Sequence, residues 1–357
     1  MLQERVPLAP RTTLELGGQA RYFVRAQDES TLIEALRWAE RHGVEVAILG
    51  GGSNLVVSDA GFDGLVIEVA LRGVAAQARG SSVVLTAAAG EPWDELVAHA
   101  VERDLAGLEC LSGIPGLTGA TPIQNVGAYG QEVAGTIAGV RVVDRGSLRV
   151  QTLDRDACGF RYRDSAFKRD RGRAVIVSVS FVLRAGGEPL LAYAELQRAL
   201  GSRSAAPSLQ DVRAAVLELR RAKSMLLDPD DENRRSAGSF FLNPTVSAQA
   251  AERVVQQAVH EGLVARAEDV PRYPAAGAQV KLAAAWLIER AGFQKGERHG
   301  QFGVSSRHAL ALVHHGGGSS AELIELARSV RDRVRARFGV ELTPEPVLLG
   351  FGADFRF

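Results

Sequence analysis

The chain has 357 residues, 46% of them hydrophobic, with 42 Lys+Arg against 42 Asp+Glu. That length suggests two or three domains with a sizeable core. The balanced charge removes any general electrostatic argument for nucleic acid or an acidic membrane surface and leaves only local basic pockets. Cys110 and Cys158, the only cysteines, match no metal or redox spacing and suit a reducing cytoplasm. Residues 1–7 lack the apolar core of a signal peptide, and no run approaches membrane-spanning length.

Residues 22–26 read as a strand. Asp28 opens a helix that runs to about His42 and stops at Gly43, with Leu32, Ala35, Leu36 and Ala39 at helical spacing. A short buried strand over 44–49 feeds Gly50-Gly51-Gly52-Ser53-Asn54, and strands continue over 55–57 and 65–69. Three consecutive glycines permit a concave turn whose N–H groups converge on an anion. Neither Walker nor Rossmann spacing is present, so a tight β-turn and a ligand loop both fit these residues.

A strand over 83–88 and a helix over 91–103 lead to the most unusual stretch, Ser112 to Gly130. Glycines at 113, 116, 119, 127 and 130 and prolines at 115 and 122 exclude a regular helix or strand there. With Thr118, Thr121, Gln124 and Asn125 between them, the segment reads as a shaped wall for a phosphate or a polar ring edge, or else as a long surface loop.

Paired strands follow over 137–143 and 148–153, then the charged and aromatic run 160–168, then a strand over 174–183. Arg163 in that run suits a bidentate clamp on a carboxylate; a solvated ion-pair cluster is the plainer reading. A break at 186–189 precedes a helix over 207–224 with a basic end at Arg220, Arg221 and Lys223, which the helix dipole alone would explain. The main domain boundary is expected near 205–225, and the polar run 228–235 reads as mobile. Within 237–244, Ser239 lies between a glycine and two phenylalanines, either as a water-shielded hydroxyl or as a buried turn serine; it is not a hydrolase elbow. Helices are expected over 247–261, 281–291 and 319–338, and a strand over 309–313. Glu345, between two prolines, is either a stiffly held carboxylate or a surface glutamate. The histidines form no metal spacing.

As an ordered set these stretches resemble the UDP-N-acetylenolpyruvoylglucosamine reductase (MurB) family. The matching motifs are Thr13-Leu14-Glu15-Leu16-Gly17-Gly18, Leu49 to Asn54, Ile114-Pro115-Gly116 with Pro122 to Gly130, Tyr162 to Lys168, Gly238 to Pro244, Val280 to Ala284, and Thr343-Pro344-Glu345. They keep the family's order across nearly the whole chain.

The resemblance implies an α+β protein: an FAD-binding fold of the vanillyl-alcohol-oxidase (PCMH) type in two subdomains, 1–70 and 71–215, plus a C-terminal α+β substrate-binding domain, 216–357. It implies noncovalent FAD, NADPH as co-substrate, and reduction of UDP-N-acetylglucosamine enolpyruvate to UDP-N-acetylmuramate for peptidoglycan synthesis by a cytoplasmic monomer. NADPH would reduce the flavin, and the sugar nucleotide would then take hydride at C3 and a proton at C2. Arg163, Ser239 and Glu345 would be catalytic, with Ser239 the proton donor. A glutamate beside developing negative charge helps only if it carries a proton or donates through a partner. FAD would lie against Gly50, Gly51, Gly52, Ser53, Asn54, Gly113, Ile114, Pro115, Gly119, Ala120, Thr121, Pro122, Asn125, Gly127, Ala128 and Tyr129. Substrate contacts would come from Tyr193, Arg220, Lys223, Asn243 and Lys281. Two positions depart from the family pattern: Val347 stands where many relatives carry arginine, and Leu242 where lysine is common. The rival expectations are an alcohol or sugar oxidase of the same fold and a nucleotide-sugar sensor without catalysis.

Overall fold

Strand β1 (Gln3–Pro7), β2 (Gln19–Ala26), helix α1 (Glu29–His42), β3 (Val46–Leu49) and β4 (Phe62–Val69) build a four-stranded sheet in the order β1-β2-β4-β3. β4 runs parallel to both β2 and β3, as strands joined by a helical crossover do. Local chemistry defines α1: the Asp28 carboxylate accepts from Thr31 N–H, and Gly43 closes the helix in the left-handed conformation at φ 62°. These elements belong to the first of two units in the computed structural model, which describes residues 1–201, 206–352 and 354–357. This unit comprises residues 1–6, 20–52 and 62–227.

The same unit holds a larger sheet. Its strands are β5 (Val74–Arg79), β6 (Ser82–Ala88), β7 (Ile137–Asp144), β8 (Val150–Asp154) and β9 (Ala174–Ala185), in the order β8-β7-β9-β6-β5, with Leu105–Ala106 paired to the end of β9. Helix α2 (Trp93–Glu102) buries Trp93, which packs on Phe181 of β9 at 5.7 Å and donates from its indole N–H to Leu111 O at 3.0 Å. Two more helices, α3 (Ala194–Leu200) and α4 (Leu209–Ala222), pack through Leu196 and Leu200 against Val212 and Val216. β5 and α3 were not anticipated. β5 is exposed at all six positions and has no buried face to impose alternation, and α3 is shorter than two full helical repeats.

The second unit comprises residues 7–19, 53–61 and 228–357. Its main sheet includes β10 (Ser236–Ser239), β11 (Phe302–Val304) and β12 (Ala311–His314), with β12 between the other two. Helices α5 (Ala248–His260), α6 (Ala284–Arg290) and α7 (Ser320–Phe338) cover a core that includes Phe240, Phe241, Phe293 and Phe302. A capping box of Ser319 and Glu322 starts α7, and Gly339 ends it at φ 64°. Two expectations change here. The stretch expected as one helix over 281–291 begins as strand Gln279–Leu282, paired on both sides, before α6 starts. Within 228–235, expected as a mobile run, Asn233 is an anchor: it is buried, its amide donates to Ser306 Oγ at 3.0 Å, and its oxygen accepts from Ser306 N–H. Position 216, the expected start of the C-terminal domain, falls inside α4 in the first unit. No helix of the described residues is long and apolar enough to cross a membrane.

Candidate functional site

In the first unit the two glycine-rich loops meet. The turn Gly50–Gly52 leaves the C-terminal end of β3, and a Cβ added to Gly51 would lie 2.9 Å from the Cα of Gly116. Only glycine allows that backbone-to-backbone approach. Farther along the loop, a Cβ on Gly119 would lie 2.5 Å from the Cβ of Ala89.

Charged side chains hold the loop's first half. Asp94, near the start of α2, accepts from Gly113 N–H at 2.5 Å and from both ends of the Arg213 fork at 2.6 and 2.9 Å. Burial pushes the Asp94 carboxyl up, but the Arg213 and Gly113 hydrogen bonds and the charges of Arg213 and Arg220 hold it below the usual carboxylate range. The 118–121 turn ties itself together: Thr121 Oγ donates to Thr118 O at 2.8 Å, and Gly119 N–H donates to Ala89 O at 2.9 Å. The N–H groups of Gly113 and Gly119 are therefore engaged within the protein. Thr118 is fully buried with its hydroxyl unpartnered.

The second half is organised by Asn125 and Arg163. The Asn125 amide donates to Glu132 and to Arg161 O, and its oxygen accepts from Ala134 N–H, so this side chain braces the loop from inside. Arg163, itself left-handed at φ 52°, donates to Asn125 O at 3.3 Å and to Gly127 O. Five N–H groups on a rigid fork leave Arg163 further donors for a ligand. Ala128 pairs with Gln131 in a two-stranded hairpin. Tyr129, its phenol raised to about 12 by burial, meets Tyr193 edge-on at 5.6 Å. Both ends of the loop are tied at Glu109: Gln131 donates to its carboxylate at 3.2 Å, as does Leu190 N–H at 2.9 Å.

Lys223, at the end of α4, donates to Glu195 at 2.7 Å and lies 5.9 Å from the Tyr129 ring centre. Arg220 points elsewhere. It is only 8% exposed and donates to Met225 O at 2.7 Å, and its Cδ would lie 3.4 Å from a Cβ on Gly113. Arg220 thus packs against the loop, and its buried Nε has no hydrogen-bond partner.

In the second unit, hydrogen bonding joins the backbone around Asn54, Ser239 and Glu345. Glu345 N–H donates to Phe240 O at 2.9 Å, Leu242 N–H donates to Thr343 O at 3.0 Å, and Phe241 bridges Pro344 antiparallel. Ser239 and Glu345, 106 positions apart in the numbering, thereby occupy neighbouring backbone strands, both half-buried. The Asn54 amide donates to Glu345 O at 3.3 Å, and Leu55–Val57 runs parallel to Val347–Leu349. Val347 N–H donates to Asn54 O at 2.9 Å. Thr13 Oγ donates to Ser236 O at 2.8 Å, and Glu15 pairs with Arg234 and Arg235 at 2.6 Å each, so the N-terminal motif buttresses the strand carrying Ser239. Asn243 Oδ accepts from Ala284 N–H at the start of α6, and Lys281 sits on the strand paired with Thr245. Arg163 belongs to the first unit, while Ser239 and Glu345 belong to the second.

Sequence reading missed Asp94, Arg213, Glu109, Gln131 and Glu195. Each is an ordinary polar residue whose partner lies in another element, and no local pattern marks it. The backbone contact of the two glycine loops and the buried unpartnered Thr118 hydroxyl suit a flat ligand with polar edges, and so fit a flavin.

Comparison with known proteins points the same way. An FAD binding domain matches residues 20–152, and the UDP-N-acetylenolpyruvoylglucosamine reductase C-terminal domain matches residues 228–349. A UDP-N-acetylenolpyruvoylglucosamine reductase of Saccharopolyspora erythraea is 49% identical over 96% of this chain and 94% of its own length. One from Thermobifida fusca is 47% identical over 97% of each chain. The crystal structure of the Thermus caldophilus enzyme, 24% identical, covers 98% of this chain and all of its own at a TM-score of 0.64, which establishes the shared fold.

Proposed function

Because the chain belongs to the UDP-N-acetylenolpyruvoylglucosamine reductase family, we propose that its residues divide the family's reaction between cofactor retention in the first unit and proton delivery in the second. The protein is an FAD-dependent oxidoreductase that uses NADPH to reduce UDP-N-acetylglucosamine enolpyruvate to UDP-N-acetylmuramate in peptidoglycan precursor synthesis. When bound, FAD supplies the hydride carrier between NADPH and the enolpyruvyl double bond. Within the first unit, Gly50, Gly51 and Gly52 would hold it together with Gly113, Ile114, Pro115, Gly119, Ala120, Thr121, Pro122, Asn125, Gly127, Ala128 and Tyr129, with Asp94 and Arg213 keeping the longer loop in shape.

As hydride adds to C3, negative charge develops at C2 and over the substrate carboxylate. A fixed cation there stabilises the transition state without reorganising. Arg163 takes that role: its donation to two loop carbonyls fixes its fork while leaving further N–H groups for the carboxylate. Ser239 gives its hydroxyl proton to C2. Serine is a weak acid, but the carbanion-like centre is a strong acceptor. Glu345 assists as a hydrogen-bond donor. The single observation supporting the Ser239–Glu345 partnership is the backbone pair from Glu345 N–H to Phe240 O, which seats the two residues on adjacent strands.

Tyr193, Lys223, Asn243 and Lys281 contact the sugar nucleotide, with Lys223 at its diphosphate, and Arg220 adds charge from beneath the loop. The reaction belongs in the cytoplasm, where NADPH and nucleotide-activated sugars are available. The test is anaerobic: NADPH should bleach the flavin absorbance of the holoenzyme, and UDP-N-acetylglucosamine enolpyruvate should restore it. Bleaching without restoration would remove the substrate assignment, and failure to bind FAD would remove the cofactor loops.

A further inference from the structure

Three cations end α4, and their surroundings differ. Arg220 is buried and donates to Met225 O, Arg221 is exposed, and Lys223 is held at 2.7 Å by Glu195. Glu195 and Lys223 are each about 30% exposed, so water and ligands reach both, yet the pair is partly shielded. Glu195 does not meet Lys223 by a chance swing of a surface side chain. Its neighbour Leu196 is fully buried against α4 together with Leu200, which fixes the α3 backbone beside Lys223. Tyr193, two residues before Glu195, packs on Tyr129, over whose ring Lys223 also lies.

We propose that Glu195 is a specificity-determining residue: it occupies Lys223 as an internal counter-ion and yields that position to a ligand carrying a diphosphate. This rests on the reading of Lys223 as a diphosphate contact. A singly charged ligand exchanges one carboxylate-like partner for another and gains little. A diphosphate brings more charge and several acceptor oxygens, so its contact with an ammonium is the stronger one. The anchored α3 need not move, because rotation of the Glu195 side chain suffices. Specificity then arises from a built-in competitor that weak anions fail to displace.

The test titrates oxidised, FAD-loaded enzyme with UDP-N-acetylglucosamine enolpyruvate, without NADPH, by calorimetry at several salt concentrations. Glu195→Gln should tighten binding about two- to five-fold, the range of a partly exposed ion pair. It should also steepen the salt dependence, since solution anions replace Glu195 as the partner displaced. Lys223→Ala should weaken binding at least ten-fold, and adding Glu195→Gln to it should change nothing further. Glu195→Ala checks that the new amide does not itself bind. If Lys223→Ala leaves affinity unchanged, the diphosphate reading of Lys223 fails and the exchange with it. If Lys223→Ala weakens binding but Glu195→Gln and Glu195→Ala are neutral or also weaken it, Lys223 keeps its role and the competitor is overturned.

Discussion

The loop region of the first unit and the Ser239–Glu345 region of the second are held by different forces. In the first, side-chain charges grip the backbone: Asp94 on Gly113 N–H, Arg163 on Asn125 O and Gly127 O, Glu109 on Leu190 N–H. In the second, main chain pairs with main chain between 240–242 and 343–345, over a core containing Phe240 and Phe241. A side chain that holds the backbone cannot be changed without moving it, whereas one projecting from a paired strand can. Substituting Ser239 should therefore alter chemistry with little change in stability, while substitutions at the loop's grips should release cofactor.

Ser239→Ala is the sharpest break. NADPH should still bleach the flavin, while reoxidation by the sugar nucleotide should slow by about 10²- to 10⁴-fold, the usual worth of a general acid. Stopped-flow absorbance of the two half-reactions reads this directly, and equal losses in both would make Ser239 structural. Gly51→Ala tests the other region. Its Cβ meets the Gly116 backbone, which cannot yield as a side-chain tip can. About 1–3 kcal/mol of overpacking strain should appear as roughly ten-fold weaker FAD binding in a fluorescence titration.

Asp94→Asn should be milder. It removes a charge from a pair whose carboxylate is 40% exposed, for a loss of about 1 kcal/mol after allowing for solvent screening, read by denaturant unfolding. The same group gives the pH dependence its sign. Its folded value lies below its unfolded one, so its contribution is fully present above about pH 4 and disappears as pH falls through the lowered folded value. FAD retention should fall in that acid range in the parent protein and respond less in Asp94→Asn; identical acid profiles would detach Asp94 from the loop. Asn243→Ala should be comparably mild. Losing the acceptor for Ala284 N–H should cost about 1 kcal/mol, a melting shift of a few degrees, with the NADPH half-reaction intact.

Much of the secondary structure was legible because its signals are local. Asp28 and Gly43 bracket α1, Ser319, Glu322 and Gly339 bracket α7, and alternation marks β9; each depends on contacts within a few residues or on one buried face. The glycine stretches were visible as loops for the same reason, since glycine and proline act on their own φ angles. Their mutual approach at Gly51 and Gly116 was not visible, because backbone contact across 65 positions leaves no periodicity. Resemblance to a family named residues for the site but carried no account of what holds them.

The sequence by itself determined where helices start and stop, where the chain bends, and which ordered motifs place it in its family. Tertiary structure alone decided that Asn54 donates to Glu345 O, that Thr13 bonds Ser236 O, that Asp94 faces Arg213, and that Arg220 is buried with its fork on Met225 O. Caps and turns satisfy their polar groups with near neighbours in the chain, and so leave a mark in the sequence. Long-range partners become neighbours only when burial of the core brings their elements together, and any of many polar pairs could have met there.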